Sequence, residues 1–164
     1  MSEEQFNVLN NDLADLVIWR TLIKERTSGI IVATNGCFDI LHVGHIRLLE
    51  EARKLGDFVV VGLNSDRSVR ELKGDRRPIN PQEHRKEVLR ALRWVDVVSI
   101  FHTKRADSFL KCLKPDVYVK AGDYTMETLD PVEREILLSM GTKIHFAPYV
   151  GGVSTTAILG RTNG

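Results

Sequence analysis

Residues 30–45 read Ile30-Ile31-Val32-Ala33-Thr34-Asn35-Gly36-Cys37-Phe38-Asp39-Ile40-Leu41-His42-Val43-Gly44-His45. From Ile30 to Thr34 the side chains are apolar or β-branched without alternation, the pattern of a strand buried on both faces. Asn35 to Asp39 follow as a turn. An apolar stripe at Leu48, Leu49, Ala52 and Leu55 then predicts a helix that Gly56 ends. A doubly buried strand feeding a loop and a helix is the opening of a unit whose next strand runs parallel to the first.

The flanking sequence repeats that alternation. Upstream, Leu9, Leu13, Leu16, Val17 and Ile23 recur at helical spacing, predicting an amphipathic helix over 9–24 that begins near Asn11 and ends at Thr27-Ser28-Gly29. Downstream, strands are predicted at 58–63, 95–100, 116–120 and 143–146, and helices at 80–93, 106–113 and from Asp130 to Gly141. Asn80-Pro81-Gln82-Glu83 is a helix start, with Asn80 as cap and Pro81 first in the helix, and Asp130-Pro131-Val132-Glu133 repeats it. Residues 64–79 are polar and basic without a period, and Ser154-Thr155-Thr156 opens a last short helix. Strands and helices alternating through short connections predict an α/β fold, a doubly wound, Rossmann-like, five-stranded parallel sheet. Residues 1–29 read as an N-terminal helical extension and 30–164 as one domain.

Composition excludes several classes. The chain has 164 residues, 43% hydrophobic and 27% charged, and a net charge of +1. That balance speaks against a nucleic-acid coat or a polybasic membrane anchor. No apolar run approaches the roughly 20 residues that span a bilayer. Cys37 and Cys112 form no C-x-x-C pair, so neither a zinc ribbon nor a disulfide framework is expected, and two thiols fit a reducing cytoplasm.

Ligands of such sheets bind beyond the carboxyl ends of the strands, which makes the post-strand residues the candidates. After the first strand, His42 and His45 sit three apart at a helix start, on one helix face. The helix N-terminus favours a phosphate, and Gly44 offers no side chain to block its approach. Lys73, Arg76 and Arg77, with Arg67 and Arg70 nearby, form a cationic group after the second strand. Ser154-Thr155-Thr156, behind Gly151-Gly152, combines hydroxyls with backbone N–H groups as a second anion site. Asp39, Asp66 and Asp123 each follow a strand and read as acceptors for sugar or ribose hydroxyls, or as partners that orient a histidine. His84, His102 and His145 read as structural, and Cys37 as a small packing residue.

The run Thr34 to His45 resembles the signature of the nucleotidyltransferases that include the cytidylyltransferases. Further blocks, Val61–Arg70, Leu72–Ile79, Arg85, Val95-Asp96, Pro115-Asp116, Lys120-Ala121-Gly122-Asp123-Tyr124 and Ser154-Thr155-Thr156, resemble the heptose-phosphate nucleotidylyltransferase branch, in order over about residues 30–160. The resemblance implies transfer of AMP from ATP to D-glycero-β-D-manno-heptose 1-phosphate, with Mg²⁺ carried on the nucleotide phosphates. It implies catalytic roles for His42, His45, Lys73 and Thr155. Nucleotide contacts are implied for Asn35, Gly36, Cys37, Phe38, Gly44, Lys120, Gly122, Asp123, Ser154, Thr155 and Thr156, and substrate contacts for Asp39, Asp66, Arg76, Arg77 and Arg85. The loop Phe101 to Asp107 is expected to help shape the sugar pocket. In many bacteria the resembling domain is fused to a sugar kinase, and this chain reads as the stand-alone form. The alternatives are a CTP-dependent enzyme for glycerol 3-phosphate and a nucleotide-binding module without catalysis. The face of residues 9–24 packs on the sheet or on a second subunit, which leaves a homo-oligomer open.

Overall fold

The computed structural model describes residues 13–121, 124–148, 155 and 160. In chain order its elements are α1 (Leu13–Arg26), β1 (Ile31–Gly36), α2 (Val43–Lys54), β2 (Phe58–Asn64), α3 (Asp66–Lys73), α4 (Gln82–Arg90), β3 (Val97–Phe101), α5 (Asp107–Leu113), β4 (Val117–Lys120), α6 (Pro131–Ser139) and β5 (Lys143–Phe146). The strands form one sheet in the order β3-β2-β1-β4-β5 with every pair parallel. Two crossovers run one way from β1 and two the other, so β1 is the central strand and its carboxyl end is the switch point. The expected doubly wound architecture is borne out.

Alternation along the strands divides the core. Ile31, Ala33, Val60 and Tyr118 face one layer with α1, α5 and α6, while Val32, Val59, Val61 and Val119 face the other with α2 and α4. The upstream helix packs on its own sheet: Leu16, Trp19 and Ile23 are buried, and the Trp19 ring meets Phe58 edge-on with centroids 5.8 Å apart. Val17, expected in that stripe, is 42% exposed, and Trp19 supplies the apolar contact instead. The rim opposite the switch point is closed by carboxylates. Asp116 accepts from Ile31 N at 2.7 Å and Lys24 Nζ at 2.6 Å, and Asp96 accepts from Val59 N at 2.7 Å.

Several boundaries differ from the sequence reading. β1 runs on through Asn35 and Gly36, which were read as turn, because they pair with Gly62 and Leu63 of β2. β3 begins at Val97, since Leu92 O takes the N–H of Val95 in a turn. Residues 66–73 form a helix capped by Ser65, whose side chain accepts from Ser68 N. Asn80 does not cap α4: its Nδ2 donates to Asp39 O at 2.7 Å, and the helix starts behind Pro81 with no side-chain cap. Asp130 does cap α6, accepting from Val132 N and Glu133 N.

Candidate active site

At the carboxyl end of β1 the chain turns sharply into α2. Phe38 takes a left-handed conformation, φ 43°, and its ring lies 4.8 Å from that of His45. Gly36 lies beneath it, where a Cβ would come within 3.2 Å of the Phe38 ring and press on it. His42 is the N-cap of α2. Its Nδ1 accepts from Gly44 N at 3.1 Å, and His45 Nδ1 reaches back to accept from His42 N at 3.4 Å. The imidazoles serve as the capping box that Ser and Glu form elsewhere.

This arrangement assigns the tautomers. A neutral imidazole that accepts at Nδ1 carries its hydrogen on Nε2, so each ring keeps one donor. The rings stack, with centroids 3.8 Å apart and planes 24° from parallel. Burial, then the charge of His42 and then that of Lys73, push the His45 pKa down to about 3. Burial and Lys73 lower that of His42. Both are neutral at physiological pH, and what they offer an anion is an N–H dipole.

The His45 ring lines a cleft of about 510 Å³ at the carboxyl ends of the strands, and the His42 ring stacks on it. Asn35, Gly36, Cys37 and Phe38 form its floor with His45, and Lys73, Lys104, Arg105 and Lys120 bring positive charge to its walls. Lys73 is the last residue of α3, with Gly74 at φ 92° ending the helix. Lys120 Nζ donates to Asn35 Oδ1 at 3.1 Å, an oxygen that also accepts from Tyr118 Oη. Burial pushes up the Cys37 thiol against the neighbouring Lys73 and Arg85 charges, so the sulfur stays protonated. Thr155 is buried, and its Oγ1 donates to Ile40 O at 3.3 Å, placing it against the histidine turn on the same rim. Gly122, Asp123, Ser154 and Thr156 lie outside the described residues.

Four expected substrate contacts are otherwise employed. Asp39 is enclosed, with its carboxylate accepting from Arg77 Nε at 2.6 Å, Ile79 N at 2.8 Å and Asn80 N at 3.0 Å. Arg85 is 2% exposed, and its guanidinium donates to Asn80 O at 2.9 Å, Cys37 O at 2.5 Å, Asn64 O at 2.9 Å and Asp66 Oδ1 at 2.7 Å. Asp39, Arg77, Arg85 and Asp66 therefore clamp the histidine turn to the segment after α3 and have their charged groups engaged with each other. Arg76 is exposed and is not among the residues lining the cleft. A second hollow of about 490 Å³ lies behind the clamp, between Phe38, Leu41 and Val88, and neither His42 nor His45 lines it.

Glu133 was missed in the sequence, where it reads as an ordinary first-turn acid of α6. It is buried, accepting from Ala106 N at 3.0 Å and Tyr118 Oη at 3.4 Å and lying 3.7 Å from Lys120 Nζ. With Asp130 capping α6, both carboxylates of the cleft wall have partners, which fits a divalent ion carried on phosphate oxygens and water.

Comparison with known proteins places the chain in a family. The chain belongs to the cytidylyltransferase-like family, whose model matches residues 33–161. It is 48% identical over 142 residues to the bifunctional protein HldE of Campylobacter fetus, covering 85% of this chain and 29% of that protein. To the HldE of Hyphomonas neptunium it is 51% identical over 138 residues, 84% of this chain and 28% of that one. To that of Pelobacter propionicus it is 47% identical over 160 residues, 98% and 32% respectively. The chain thus spans under a third of the length of these relatives. Among solved structures it resembles the lipopolysaccharide core biosynthesis protein of Thermoplasma volcanium, with TM-score 0.61 and 29% identity over 75% of this chain and 98% of that one. It shares its fold with pantoate-beta-alanine ligase of Francisella tularensis, with TM-score 0.62 and 17% identity over 85% of this chain and 66% of that one. Fold, site and family together make this a nucleotidyltransferase domain.

Proposed function

We propose that this chain transfers the AMP part of ATP to D-glycero-β-D-manno-heptose 1-phosphate, releasing pyrophosphate and forming ADP-heptose. The observation that carries the reading is the stacked pair His42 and His45, with both Nδ1 atoms tied into the helix cap, both Nε2–H groups left as donors, and His45 in the wall of a cationic cleft. The similarity to HldE proteins over nearly the whole chain supports it, as does the run of motifs that resembles heptose-phosphate nucleotidylyltransferases.

The chemistry suits these groups. A sugar 1-phosphate is already an anionic nucleophile, so no general base is required. One of its oxygens attacks the α-phosphorus, the bond from that phosphorus to the bridging oxygen breaks, and pyrophosphate leaves with the electron pair. The barrier lies in bringing two polyanions together and in the charge that grows on the α-phosphate and the leaving group. Neutral N–H donors from His42 and His45 act on that growing charge, and Lys73 supplies a compact cation. Mg²⁺ on the triphosphate supplies further charge neutralisation when bound. Thr155 is held against the turn through Ile40 O, and with Ser154 and Thr156 it is assigned to the triphosphate. Residues 30–164 are assigned these groups, and α1 of the N-terminal extension covers one face of the sheet.

Among the described residues no helix is long and apolar enough to cross a membrane. The test is pyrophosphate release measured with each of the four nucleoside triphosphates against sugar 1-phosphates and glycerol 3-phosphate. ATP with the heptose 1-phosphate gives the highest turnover. Turnover of CTP with glycerol 3-phosphate, and none with the expected pair, overturns the reading, and so does nucleotide binding without pyrophosphate release.

A further inference from the structure

The connection between β3 and α5 is exposed, yet it is fixed at both ends. Ser68 Oγ on α3 donates to Thr103 O at 2.8 Å and itself accepts from Asn64 Nδ2 at 2.7 Å. At the other end Ala106 N donates to Glu133, the carboxylate that faces Lys120. Thr103 Oγ1 closes the loop on itself by donating to Arg105 O at 2.6 Å. Lys104 and Arg105, the two residues between these anchors, line the cleft. A hydrogen-bond chain thus fixes where their backbone stands relative to both Lys73 and Lys120.

The four cleft cations are not equivalent. The Arg105 guanidinium turns onto Asp107 at 3.2 Å, and Lys120 is offset by Glu133 at 3.7 Å. Among the described residues neither Lys73 nor Lys104 has an ion-pair partner. These two belong to the same half of the sheet, since Lys73 follows β2 and Lys104 follows β3, on one side of the central strand. Lys120, which ends β4, and Thr155, beyond β5, belong to the other half. Among the described cleft residues, the cations without ion-pair partners are therefore gathered on one side of the histidine turn.

We propose that Lys104 binds the phosphate of the acceptor, with Lys73 as the second cation of the same subsite; this rests on the nucleotidyltransferase reading above. The ligand class is a phosphate monoester of a small sugar or polyol. Such a group carries about −1.5 to −2 charges near pH 7 and must approach a triphosphate that repels it. Two ammoniums without carboxylate partners among the described residues, opposite the half assigned to the nucleotide, lower that repulsion. An ammonium on a flexible stem follows the phosphate as its oxygen moves onto the α-phosphorus, which a planar guanidinium already turned onto Asp107 does less well.

The test compares wild type with Lys104→Gln, Lys104→Arg and, as a control for net charge, Lys111→Gln on α5. Binding of the heptose 1-phosphate and of inorganic phosphate is measured by calorimetry without nucleotide, alongside KM values for acceptor and ATP. Lys104→Gln raises the acceptor Kd and KM by about tenfold or more, the usual effect of losing a charge-assisted contact, and leaves the ATP KM within about twofold. Lys104→Arg restores most of the loss, and Lys111→Gln changes neither constant. Unchanged acceptor constants in Lys104→Gln, an equal rise in the ATP KM, or an equal effect of Lys111→Gln overturns the assignment. So does a wild-type protein that binds neither probe. Lys104-dependent binding without pyrophosphate release leaves this assignment standing and removes the enzymatic one.

Discussion

Asp39 and Arg77 meet at 2.6 Å across 38 residues of sequence, with the Asp39 side chain wholly enclosed. Burial pushes the Asp39 carboxyl up, but the N–H of Asn80, the Arg77 side chain and the N–H of Ile79 outweigh it and hold the pKa below 3.8. The pair fixes the turn that carries both histidines to the segment that follows Lys73.

Breaking that pair is costly. Asp39→Asn leaves the partly buried Arg77 without its counter-charge and the enclosed Asp39 site without its carboxylate, and the expected loss is about 3 kcal/mol in urea unfolding. The sign of the pH effect follows from the depressed pKa. The carboxylate's contribution is complete above 3.8 and is lost as pH falls through the lower folded value. Acid unfolding of Asp39→Asn therefore begins at higher pH than that of wild type, and an unchanged acid midpoint would remove the clamp from the account.

His45 gives a second pH signature in a different window. Its folded pKa of about 3 lies below the ordinary 6.5, so the unfolded chain takes up a proton that the folded one refuses. Stability from this group is complete above pH 6.5 and declines as pH falls towards 3. By linkage the decline reaches about 2 kcal/mol at pH 5. His45→Gln flattens the profile between pH 6.5 and 5, which denaturant titrations at several pH values will read.

The two nitrogens of His45 have separable duties. Gln places an amide near the outward Nε2, whereas Asn places one near the capping Nδ1. His45→Ala lowers turnover by roughly 10²-fold or more, as for loss of one transition-state donor, with the fold retained. His45→Gln keeps more activity than His45→Asn, and His45→Asn keeps more stability. Wild-type turnover in His45→Ala would take the ring out of the chemistry.

Arg85 is a joint rather than a ligand, by virtue of the four acceptors around its guanidinium. Lys104 and Lys73 tolerate replacement in the fold, being exposed, whereas Arg85→Met leaves buried carbonyls and Asp66 without donors. The expected cost is about 3–5 kcal/mol, seen as a lowered denaturation midpoint.

The central strand and the histidine helix were legible because their signals are local. An unbroken β-branched run and a stripe at Leu48, Leu49 and Ala52 point to burial without knowledge of the rest. The helix 66–73 was not legible, because it buries only Ser68 and Val69 and so shows no apolar face. Asn80 carried a good capping pattern, but Asp39 O competes for its amide. The clamp residues were read as substrate ligands for a related reason. A charged side chain in sequence reveals its sign and not its burial, and their partners lie 38 and 19 residues away. His42 and His45 were expected as phosphate donors, and the capping geometry adds which nitrogen faces outward.

Trp19 tests the upstream helix. Its ring is 1% exposed and packs on Phe58 at the start of β2. Trp19→Ala removes this wedge between helix and sheet and costs about 3–5 kcal/mol. A melting temperature within a degree or so of wild type would mean that α1 contributes little to the domain.

The hydrogen bond from Thr155 to Ile40 O joins residues 115 positions apart. During synthesis Ile40 of the histidine turn leaves the ribosome 115 residues ahead of Thr155, so its closing contact waits for everything between them. A nascent chain that has not reached Thr155, or a truncation that stops before it, lacks that closure even when its sheet is in place.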